Sequence, residues 1–377
     1  MGKKEQITYR VIGDFLTHKL SRKEAAQLLQ IRERSVSRIA RRVEQKQMLG
    51  VVHGNRGRKS EKRLPKELKI KVMTLMQERY FDFNMTHALE MLKSENDLVV
   101  GYSTFRKWCG EKHLVKRRKR RSTKVRRSRV RMPSEGLLLQ MDGSPHRYNG
   151  KDEWCLIAAI DDATSEIPYA EFFLSEDTLS CMTVVQKIIE KKGIPRAIYT
   201  DKAGIFGGQK RQNFSQFSRA CEELDIQIIY ADSAQAKGRI ERTWDTFQDR
   251  IIPEMRLRHI RRMPAANDYL QNQFIPNYWV QNNMVAARNN QSQYRELGDK
   301  IDLNEIFCIK EYRSVKADHT LSWDSDRYQV ESPLKHSIRG QKIEIRTYQD
   351  LSWEAWFAGK EIEIVKLEPP QSLKKAA

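Results

Sequence analysis

The chain has 377 residues, of which 39% are hydrophobic, and it carries a formal net charge of +20. This length predicts several domains. The charge is uneven, because residues 1–132 hold 36 Lys and Arg against 13 Asp and Glu, whereas the remainder holds 33 against 36. A positive first third predicts a polyanionic partner. Nucleic acid is favoured, since no amphipathic or lipidated membrane signal accompanies the charge.

Simple patterns exclude several other classes of protein. The five cysteines are far apart and odd in number, which argues against a disulfide framework and for a reducing compartment. No Cys-x-x-Cys pair or clustered His and Cys set predicts a zinc site. The N-terminus lacks an apolar signal core, and no apolar run approaches a membrane span. We therefore expect a cytoplasmic, nucleoid-associated protein with no membrane partner.

Residues 1–50 have the pattern of a helix-turn-helix DNA-binding domain. Ser21 and Glu24 form a capping box at the start of one helix, with Ala25, Leu28 and Leu29 on its buried face. A second helix follows over residues 34–47, with a buried stripe of Val36, Ile39 and Val43. A different face of this helix is shaped to enter a major groove and carries Ser35, Arg38 and Arg42. The alternative is an ordinary helical hairpin with a solvated basic face.

Residues 51–64 form a basic linker. Glycines alternate with Arg56 and Arg58 in this segment, a composition that suits a flexible arm lying in a DNA minor groove. A simple solvated linker explains the same composition equally well.

Residues 65–115 predict a second helix-turn-helix domain. Pro65 begins one helix, a short helix spans 86–92, and a candidate recognition helix follows over 102–108. We expect Phe105 and Trp108 to point inward and two basic residues to point outward, namely Arg106 and Lys107. Two such domains in tandem would read a longer DNA site than one.

Residues 116–132 are a second basic linker. Eleven of the 16 residues from Lys116 to Arg131 are Lys or Arg, so the segment has too little apolar surface to fold alone. We expect it to track DNA phosphates, with strongly salt-dependent binding. The candidate contacts are Arg117, Arg118, Arg120 and Arg121. A solvated tether is the alternative.

Residues 133–255 predict an α/β domain. The expected strands are Leu137–Met141, Trp154–Ile160, Ile167–Phe173, a run to Tyr199, and Ile226–Tyr230. The expected helices are Thr178–Lys192, Phe214–Leu224 and one beginning at Ala236. The order βββ-α-β-α-β-α is typical of an RNase H-like catalytic core, a mixed sheet with helices on its faces.

The last third predicts two further parts. Residues 256–315 read as a helical connector. Residues 316–368 alternate apolar and polar side chains in short segments, with turns at 324–326 and 358–360. This pattern predicts a small β-barrel. The fold class is therefore multidomain: a helical helix-turn-helix N-terminal region, an α/β RNase H-like core and a small C-terminal β-barrel.

Three carboxylates in the α/β domain are candidate metal ligands. Asp142 and Asp201 each follow an apolar strand, and Glu241 lies on the last helix of the domain. Two divalent cations held by such residues can clamp the attacking and leaving oxygens of a phosphodiester. Hard Mg²⁺ prefers oxygen ligands and needs only a few carboxylates.

The helical pattern places Glu241 beside the buried face of its helix. An apolar stripe faces the sheet and consists of Ile240, Trp244, Phe247 and Ile251. Glu241 lies at the edge of that stripe, about 100° away. The alternative is that Glu241 is an ordinary surface glutamate paired with Lys237. Asp245, one turn later, is the substitute if Glu241 is misassigned.

Three sequence blocks resemble the signature blocks of the DDE transposases and retroviral integrases. They are Asp142-Gly143-Ser144, Tyr199-Thr200-Asp201, and Ala236 to Arg242 (AKGRIER). The longer stretches YTDKAGIF and AQAKGRIER, followed by TFQDR, are similar to bacterial insertion-sequence transposases of the ISNCY type. The resemblance covers residues 135–252. It departs from many relatives at Lys202-Ala203, where they have Asn-Gly.

The resemblance implies a function. Asp142, Asp201 and Glu241 would be the catalytic residues and the ligands of Mg²⁺ or Mn²⁺, with two ions in each active site. The protein would bind the terminal inverted repeats of an insertion element in double-stranded DNA, cleave at the ends, and join the 3′-OH to target DNA without a nucleotide cofactor. Assembly as a homo-oligomer is expected. Further phosphate contacts would come from Lys237, Arg239 and Arg242, each of which is otherwise a solvated helix charge.

Other polar residues near the carboxylates have structural interpretations. Asp161 and Asp162 are expected to form a tight turn, Asp232 to belong to a loop, and His146 to lie at the surface or touch substrate. Two rival functions stay open: a structure-selective nuclease with the same metals but no strand transfer, and a non-catalytic DNA-binding regulator. The three intact carboxylates argue against the regulator.

Overall fold

A computed structural model describes residues 2–56, 64–115, 130–201, 215–230, 238–331 and 336–367 of the chain. The chain divides into two units, residues 1–71 and 72–377, with the division inside helix α4 (Lys66–Glu78).

In the first unit, the described residues before α4 form three helices. They are α1 (Lys3–Leu16), α2 (Arg22–Leu29) and α3 (Glu33–Lys46), followed by a 3₁₀ turn (Gln47–Val51). Their shared core is apolar and includes Ile12, Ala25, Ala26, Val36, Ala40 and Val43.

The start of α2 is as predicted, but its buried face is not. The capping box is confirmed, since Ser21 Oγ accepts from the backbone of Glu24 and the Glu24 carboxylate accepts from the backbone of Ser21. Leu28, however, is 60% exposed. Each residue advances about 100° around a helix, so an arc centred on Ala25, Ala26 and Leu29 leaves Leu28 outside it.

The second unit begins with a helical region. Helix α5 (Met85–Asn96) is capped by the Asn84 side chain, which accepts from the backbone of His87, and α6 (Tyr102–Glu111) follows. Phe105 and Trp108 on α6 are buried, as predicted. Arg106 and Lys107, on the opposite face, are exposed.

A five-stranded mixed sheet forms the centre of this unit. Its strands are β1 (Leu139–His146), β2 (Trp154–Asp161), β3 (Tyr169–Phe173), β4 (Ala197–Thr200) and β5 (Gln227–Tyr230). The order across the sheet is β3-β2-β1-β4-β5, with β1, β4 and β5 parallel. Three helices alternate with the last strands: α7 (Thr178–Lys192), α8 (Gln216–Glu223) and α9 (Gly238–Leu257). The predicted sequence of elements is confirmed.

The prediction for β1 was wrong at its end. The strand continues to His146 instead of stopping at Met141, because it pairs antiparallel with β2 as far as His146 opposite Trp154. Asp142 therefore lies inside β1 and not at its end. The apolar run ends at Met141, but an antiparallel hairpin needs no apolar side chains on a face that meets solvent.

Alternate residues of β2 face two separate cores. Cys155, Ile157 and Ala159 pack with α7 and α8, whereas Leu156, Ala158 and Ile160 pack with α9. Successive side chains of a strand point to opposite faces, so a fully apolar strand is covered on both sides. The sheet is thus buried between two helical layers.

The C-terminal part is less helical than predicted. Helix α10 (Met263–Tyr269) continues as a π-helix (Leu270–Trp279) into α11 (Val280–Asn283). The next regular helix is the short α12 (Leu303–Ile306), so 284–302 contain none. Apolar residues in the latter segment do not recur at helical spacing along its length, so it offers no continuous apolar stripe.

The C-terminal sheet begins earlier than predicted. Its strands are β6 (Ile309–Ser314), β7 (Thr320–Trp323), β8 (Asp326–Glu331), β9 (Lys342–Thr347), β10 (Trp353–Phe357) and β11 (Lys360–Lys366). The order β6-β9-β10-β11-β8-β7 makes a nearly closed, barrel-like sheet. Strand β6 was predicted as part of the connector, because its charged residues hide the alternation. Both predicted turns are present, with positive φ at Asp324, Ser325, Ala358 and Gly359.

Ion pairs join the helical region to the far half of α9. Arg250 makes two hydrogen bonds to Glu90, of 2.7 and 3.0 Å, and Arg256 makes two to Asp82, both of 2.7 Å. Paired guanidinium–carboxylate contacts fix orientation as well as distance. Helix α5 and the loop before it are therefore docked on α9.

All five cysteines are buried free thiols. Within the described ranges, no helix combines the length and the apolar character that crossing a membrane requires.

A buried carboxylate lies inside the docked surface between α5 and α9. Glu254 is 2.9 Å from Nε2 of His87 and 3.2 Å from Arg258, and it accepts a hydrogen bond from the Tyr269 hydroxyl. Burial alone would raise the pKa of Glu254. The hydrogen bonds from His87 and Tyr269 and the nearby charges outweigh burial, so the pKa lies below its ordinary value of 4.5.

The first prediction concerns Glu254→Gln. Since the folded pKa is depressed, ionised Glu254 stabilises the fold above its unfolded pKa, and this contribution is lost as the pH falls through the folded value. The variant should be less stable than the parent near pH 7 by about 1–3 kcal/mol. The difference should shrink below about pH 4. Urea denaturation at several pH values measures it, and a pH-independent difference would contradict the assignment.

Candidate active site

Asp142 and Asp201 occupy matching positions on neighbouring strands. Strands β1 and β4 run parallel, with Leu139 opposite Ile198 and Gln140 opposite Tyr199. The same register places Asp142 level with Asp201, which directly follows β4. Adjacent strands lie about 4.8 Å apart. The two half-buried carboxylates are therefore side by side at the edge where the parallel pairing ends.

Helix α9 carries Glu241 and packs against this sheet. The predicted apolar stripe is confirmed, because Ile240, Trp244, Phe247 and Ile251 are all buried against the sheet. Glu241 is exposed and lies beside the stripe in the first turn of the helix. The helix start was predicted at Ala236, but residues 231–237 lie outside the described part of the chain.

Trp244 is a site residue that the sequence analysis missed. It was assigned only to the apolar stripe, yet its indole N–H donates a 3.0 Å hydrogen bond to Oδ2 of Asp142. Trp244 follows Glu241 by three residues, so both lie on neighbouring turns of one helix face. The bond ties the helix that carries Glu241 to the strand that carries Asp142.

A second contact between α9 and β1 lies one turn further along. Gln248 donates to Oγ of Ser144 at 3.1 Å, and the Tyr148 hydroxyl donates to the same oxygen at 2.9 Å. Burial raises the pKa of Tyr148 to about 12, so its hydroxyl keeps the proton that it donates. Helix α9 is thus fixed to β1 at two successive positions.

Glu176 brings a carboxylate close to Gly143, the residue after Asp142 on β1. A Cβ atom added at Gly143 would lie 2.5 Å from the Glu176 carboxyl group, so glycine permits this close approach. Burial, together with the charges of Glu176 and Asp142, raises the pKa of Cys155 to about 12. Nothing in the sequence around Glu176 predicted this position, since it comes from the loop between β3 and α7.

Asp161 and Asp162 are structural, as predicted. Asp161 accepts from the backbone N–H groups of Gly136, Ala163 and Thr164. Burial raises its pKa above the ordinary value of 3.8, although these bonds oppose the change. Asp162 is completely buried.

Arg239 lies closer to the core than the sequence analysis expected. Its guanidinium is 2.5 Å from Oδ1 of Asp162, and its side chain is only 12% exposed. Arg242, in the same turn of α9, is exposed. The two arginines that were predicted to act alike on DNA phosphates therefore have different surroundings.

The donor chemistry at this edge fits a hard cation, since Asp142, Asp201 and Glu241 offer only carboxylate oxygens. The described residues nevertheless contain no group of three Asp, Glu, His or Cys side chains close enough to hold one metal ion. The structure brings Asp142 and Asp201 together and places Glu241 on the adjoining helix.

The other predicted residues fall into three groups. His146 and Asp245 are exposed, and the His146 ring packs edge-on against Tyr148. In the first unit, Arg38 is exposed and Ser35 and Arg42 are half-buried, while Arg56 pairs with Glu5 at 2.6 Å. Outside the described residues lie Arg58, Arg117, Arg118, Arg120, Arg121, Lys202, Ala203, Asp232 and Lys237.

Comparison with known proteins identifies the family. The Sinorhizobium fredii protein y4bF, named as a presumed transposase, is 30% identical over 386 residues, which cover 100% of this chain and 84% of y4bF. The chain belongs to this transposase family. The transposase for insertion sequence IS1202 of Streptococcus pneumoniae is 28% identical over 361 residues, covering 85% of this chain and 77% of that protein. The resemblance drawn from the three sequence blocks is confirmed.

Solved structures similar to this transposase include two retroviral proteins. The HTLV-2 integrase catalytic core domain in complex with magnesium is 18% identical, covers 37% of this chain and 87% of its own, and has a TM-score of 0.31. The simian T-cell lymphotropic virus intasome in complex with a PP2A regulatory subunit is 12% identical, covers 72% and 93%, and has a TM-score of 0.38. No family model matches the chain.

The second prediction concerns the bond between Trp244 and Asp142. Trp244→Phe keeps a ring in the stripe but removes the N–H donor, so it should destabilise the transposase by about 1–3 kcal/mol. In the background of Asp142→Ala the same change should cost less. A double-mutant cycle, measured by urea denaturation with circular dichroism, should give a coupling energy above about 0.5 kcal/mol. Additive effects would mean that the bond contributes nothing.

The third prediction concerns Gly143. The methyl group of Gly143→Ala would overlap the Glu176 carboxyl group, so the variant should lose about 1–3 kcal/mol of stability. Glu176→Ala removes the obstructing group, so Gly143→Ala should cost much less stability in that background than in the parent. The double variant Gly143→Ala/Glu176→Ala should therefore be nearly as stable as Glu176→Ala alone. Denaturation midpoints report both. An equal loss in the two backgrounds would place the conflict elsewhere.

Proposed function

We propose that this protein is a DNA transposase that binds the terminal inverted repeats of an insertion element, cleaves at the element's ends and joins them to target DNA. The observation that supports the proposal is the register of β1 and β4, which brings Asp142 level with Asp201, together with the hydrogen bond from Trp244 that ties the helix of Glu241 to Asp142. Membership of the transposase family supports it.

The catalytic domain is proposed to be RNase H-like. Three antiparallel-paired strands at one side of the sheet and two parallel strands at the other, with helices on both faces, support that interpretation. Asp142, Asp201 and Glu241 would hold two Mg²⁺ or Mn²⁺ ions. Bound cations would supply positive charge beside the attacking and leaving oxygens of the phosphodiester.

The proposed reaction consists of two exchanges at phosphorus. In the first, water attacks at the element end, the bond from phosphorus to the 3′ oxygen breaks, and a 3′-OH and a 5′-phosphate result. In the second, this 3′-OH attacks a phosphodiester of the target, which releases a target 3′-OH. One phosphodiester replaces another, so no nucleotide cofactor is required.

The protein's own residues would organise these exchanges. Trp244 donates to one oxygen of Asp142, and the Gln248–Ser144 hydrogen bond holds the middle of α9 against β1. Arg242, which is exposed next to Glu241, would contact a DNA phosphate. Lys237 would do the same from the segment before α9.

The helical regions would bind the DNA ends. We propose that α2 and α3 form a helix-turn-helix with Arg38 at its DNA-facing surface, and that α6 presents Arg106 and Lys107, which are exposed. The two basic linkers would add phosphate contacts and make binding strongly salt-dependent. Two element ends must be joined, so a homo-oligomer on DNA is expected.

The fourth prediction tests the chemistry. Asp201→Asn keeps the size of the side chain but removes a charge from the proposed cation ligands. With a labelled element-end duplex, plasmid target and MgCl₂, the variant should cleave and join roughly 100-fold less than the parent, or not at all. Asp245→Asn is the matched control, because Asp245 is exposed one turn after Glu241, and it should retain activity.

The outcomes separate the alternatives. Cleavage without joining by the parent protein would favour the structure-selective nuclease. Undiminished Mg²⁺-dependent cleavage by Asp201→Asn would show that the active-site assignment is wrong. Loss of activity in Asp245→Asn but not in Glu241→Gln would transfer the third ligand to Asp245.

A further inference from the structure

Asp162 is a buried carboxylate that three parts of the catalytic domain share. Its Oδ1 accepts from Arg239 at 2.5 Å and from the Gln140 side chain at 2.7 Å. Its Oδ2 accepts from the backbone N–H of Met132 at 2.9 Å. Asp162 itself is completely buried. One charged group thus connects three parts of the domain: the segment before β1 at Met132, strand β1 and helix α9.

Two of these partners lie two residues before a proposed catalytic carboxylate. Gln140 precedes Asp142 on β1, and side chains two apart in a strand point to the same face. Arg239 precedes Glu241 in the first turn of α9. Through Gln140 and Arg239, Asp162 therefore links the part of β1 that carries Asp142 to the turn of α9 that carries Glu241.

The turn that holds Asp162 is itself fixed. Arg131 donates to the backbone oxygens of Asp162 and Ala163, at 3.3 and 3.2 Å, and to the Ser165 hydroxyl at 2.8 Å. The backbone N–H of Asp162 donates to the carbonyl oxygen of Leu138 at 3.0 Å. A carboxylate held this way cannot follow a moving helix, so the helix must adjust to it.

The burial of the pair distinguishes it from a DNA contact. A phosphate-binding arginine presents its guanidinium to solvent, whereas the Arg239 side chain is only 12% exposed and its partner is fully buried. Removing one member of a buried ion pair leaves the other charge uncompensated, which is strongly unfavourable. Arg239 is therefore committed to Asp162 in the folded protein.

We propose that the Arg239–Asp162 ion pair is a positioning device that fixes the first turn of α9 against β1 and so sets Glu241 relative to Asp142. The inference rests on the proposed function for the roles of these two carboxylates. Arg239 acts through Asp162 and Glu241 and does not contact DNA. Both members of the pair should consequently give the same phenotype when they are neutralised.

The test uses three variants of the full chain: Arg239→Gln, Asp162→Asn and the double variant Arg239→Gln/Asp162→Asn. The double variant has no uncompensated buried charge, so it remains informative if a single variant unfolds. Arg239→Lys is the conservative variant. It keeps the charge but not the fork geometry of guanidinium, and it should restore part of the lost function.

Hydrogen–deuterium exchange gives the first readout and needs no activity. The first amides of a helix lack partners within the helix, so the informative ones belong to residues 242–250. Exchange there should be at least 10-fold faster in each single variant and in the double variant. Exchange in α7, which packs in the other core of the sheet, should stay within about 2-fold of the parent. Equal acceleration in both helices would show a general loss of stability and overturn the proposal.

Titration of MnCl₂ by calorimetry gives the second readout. Disturbing groups that orient metal ligands typically weakens binding by about 10–100-fold, and the double variant should fall in this range without any change in net charge. Unchanged Mn²⁺ affinity together with unchanged exchange at 242–250 would show that the pair has no positioning role.

Arg242→Gln is the matched control, because Arg242 lies in the same turn and is exposed. This variant should weaken binding to an element-end duplex and reduce the slope of log K against log salt by about 1, with no change in exchange. Arg239→Gln should leave that slope unchanged. A reduced slope for Arg239→Gln, with a normal slope for Asp162→Asn, would return Arg239 to the DNA-contact role.

These readouts also separate this inference from the proposed function. If the parent protein neither cleaves nor joins DNA, the transposase proposal fails, while exchange and Mn²⁺ binding still report on the pair. If the parent is active and the variants match it in both measurements, only the positioning role fails.

Discussion

The hydrogen bond from Trp244 to Asp142 is the contact on which the candidate site depends. Asp142 belongs to β1, which is paired with a neighbouring strand on both sides. Glu241 belongs to α9, which lies about 100 residues later in the sequence. The indole joins the two, since its ring is buried in the layer between helix and sheet and its N–H reaches the carboxylate. The apolar packing of α9 against the sheet therefore also fixes the position of the helix that carries Glu241 relative to Asp142.

Helix α9 is held along its whole length, and each contact has a different chemical character. A buried ion pair anchors its first turn, hydrogen bonds to β1 hold its middle, and guanidinium–carboxylate pairs join its last turns to α5 and the preceding loop. The same helix thus contacts the proposed catalytic strand and the helical region that carries Arg106 and Lys107.

The uneven charge of the chain matches this division of roles. The first 132 residues carry the excess of Lys and Arg, whereas the rest is close to neutral. In the second unit many arginines form ion pairs with carboxylates, including Arg239, Arg250, Arg256 and Arg295. The excess positive charge that the proposed DNA binding requires therefore lies mainly in the N-terminal third.

The sequence by itself determined the order of elements, the buried stripe of α9, the capping box of α2 and the residues of the proposed triad. These follow from local periodicity and from short motifs, which act over a few residues. Only the tertiary structure decided that Asp142 lies within β1, that Glu176 approaches Gly143, that Trp244 donates to Asp142 and that Arg239 belongs to Asp162. The last three of these contacts join residues more than 30 positions apart, and the length of β1 depends on pairing with β2. No local pattern specifies which distant charge or donor a side chain will meet. The indole N–H of Trp244 and the guanidinium of Arg239 meet their partners only because the sheet and helices pack together.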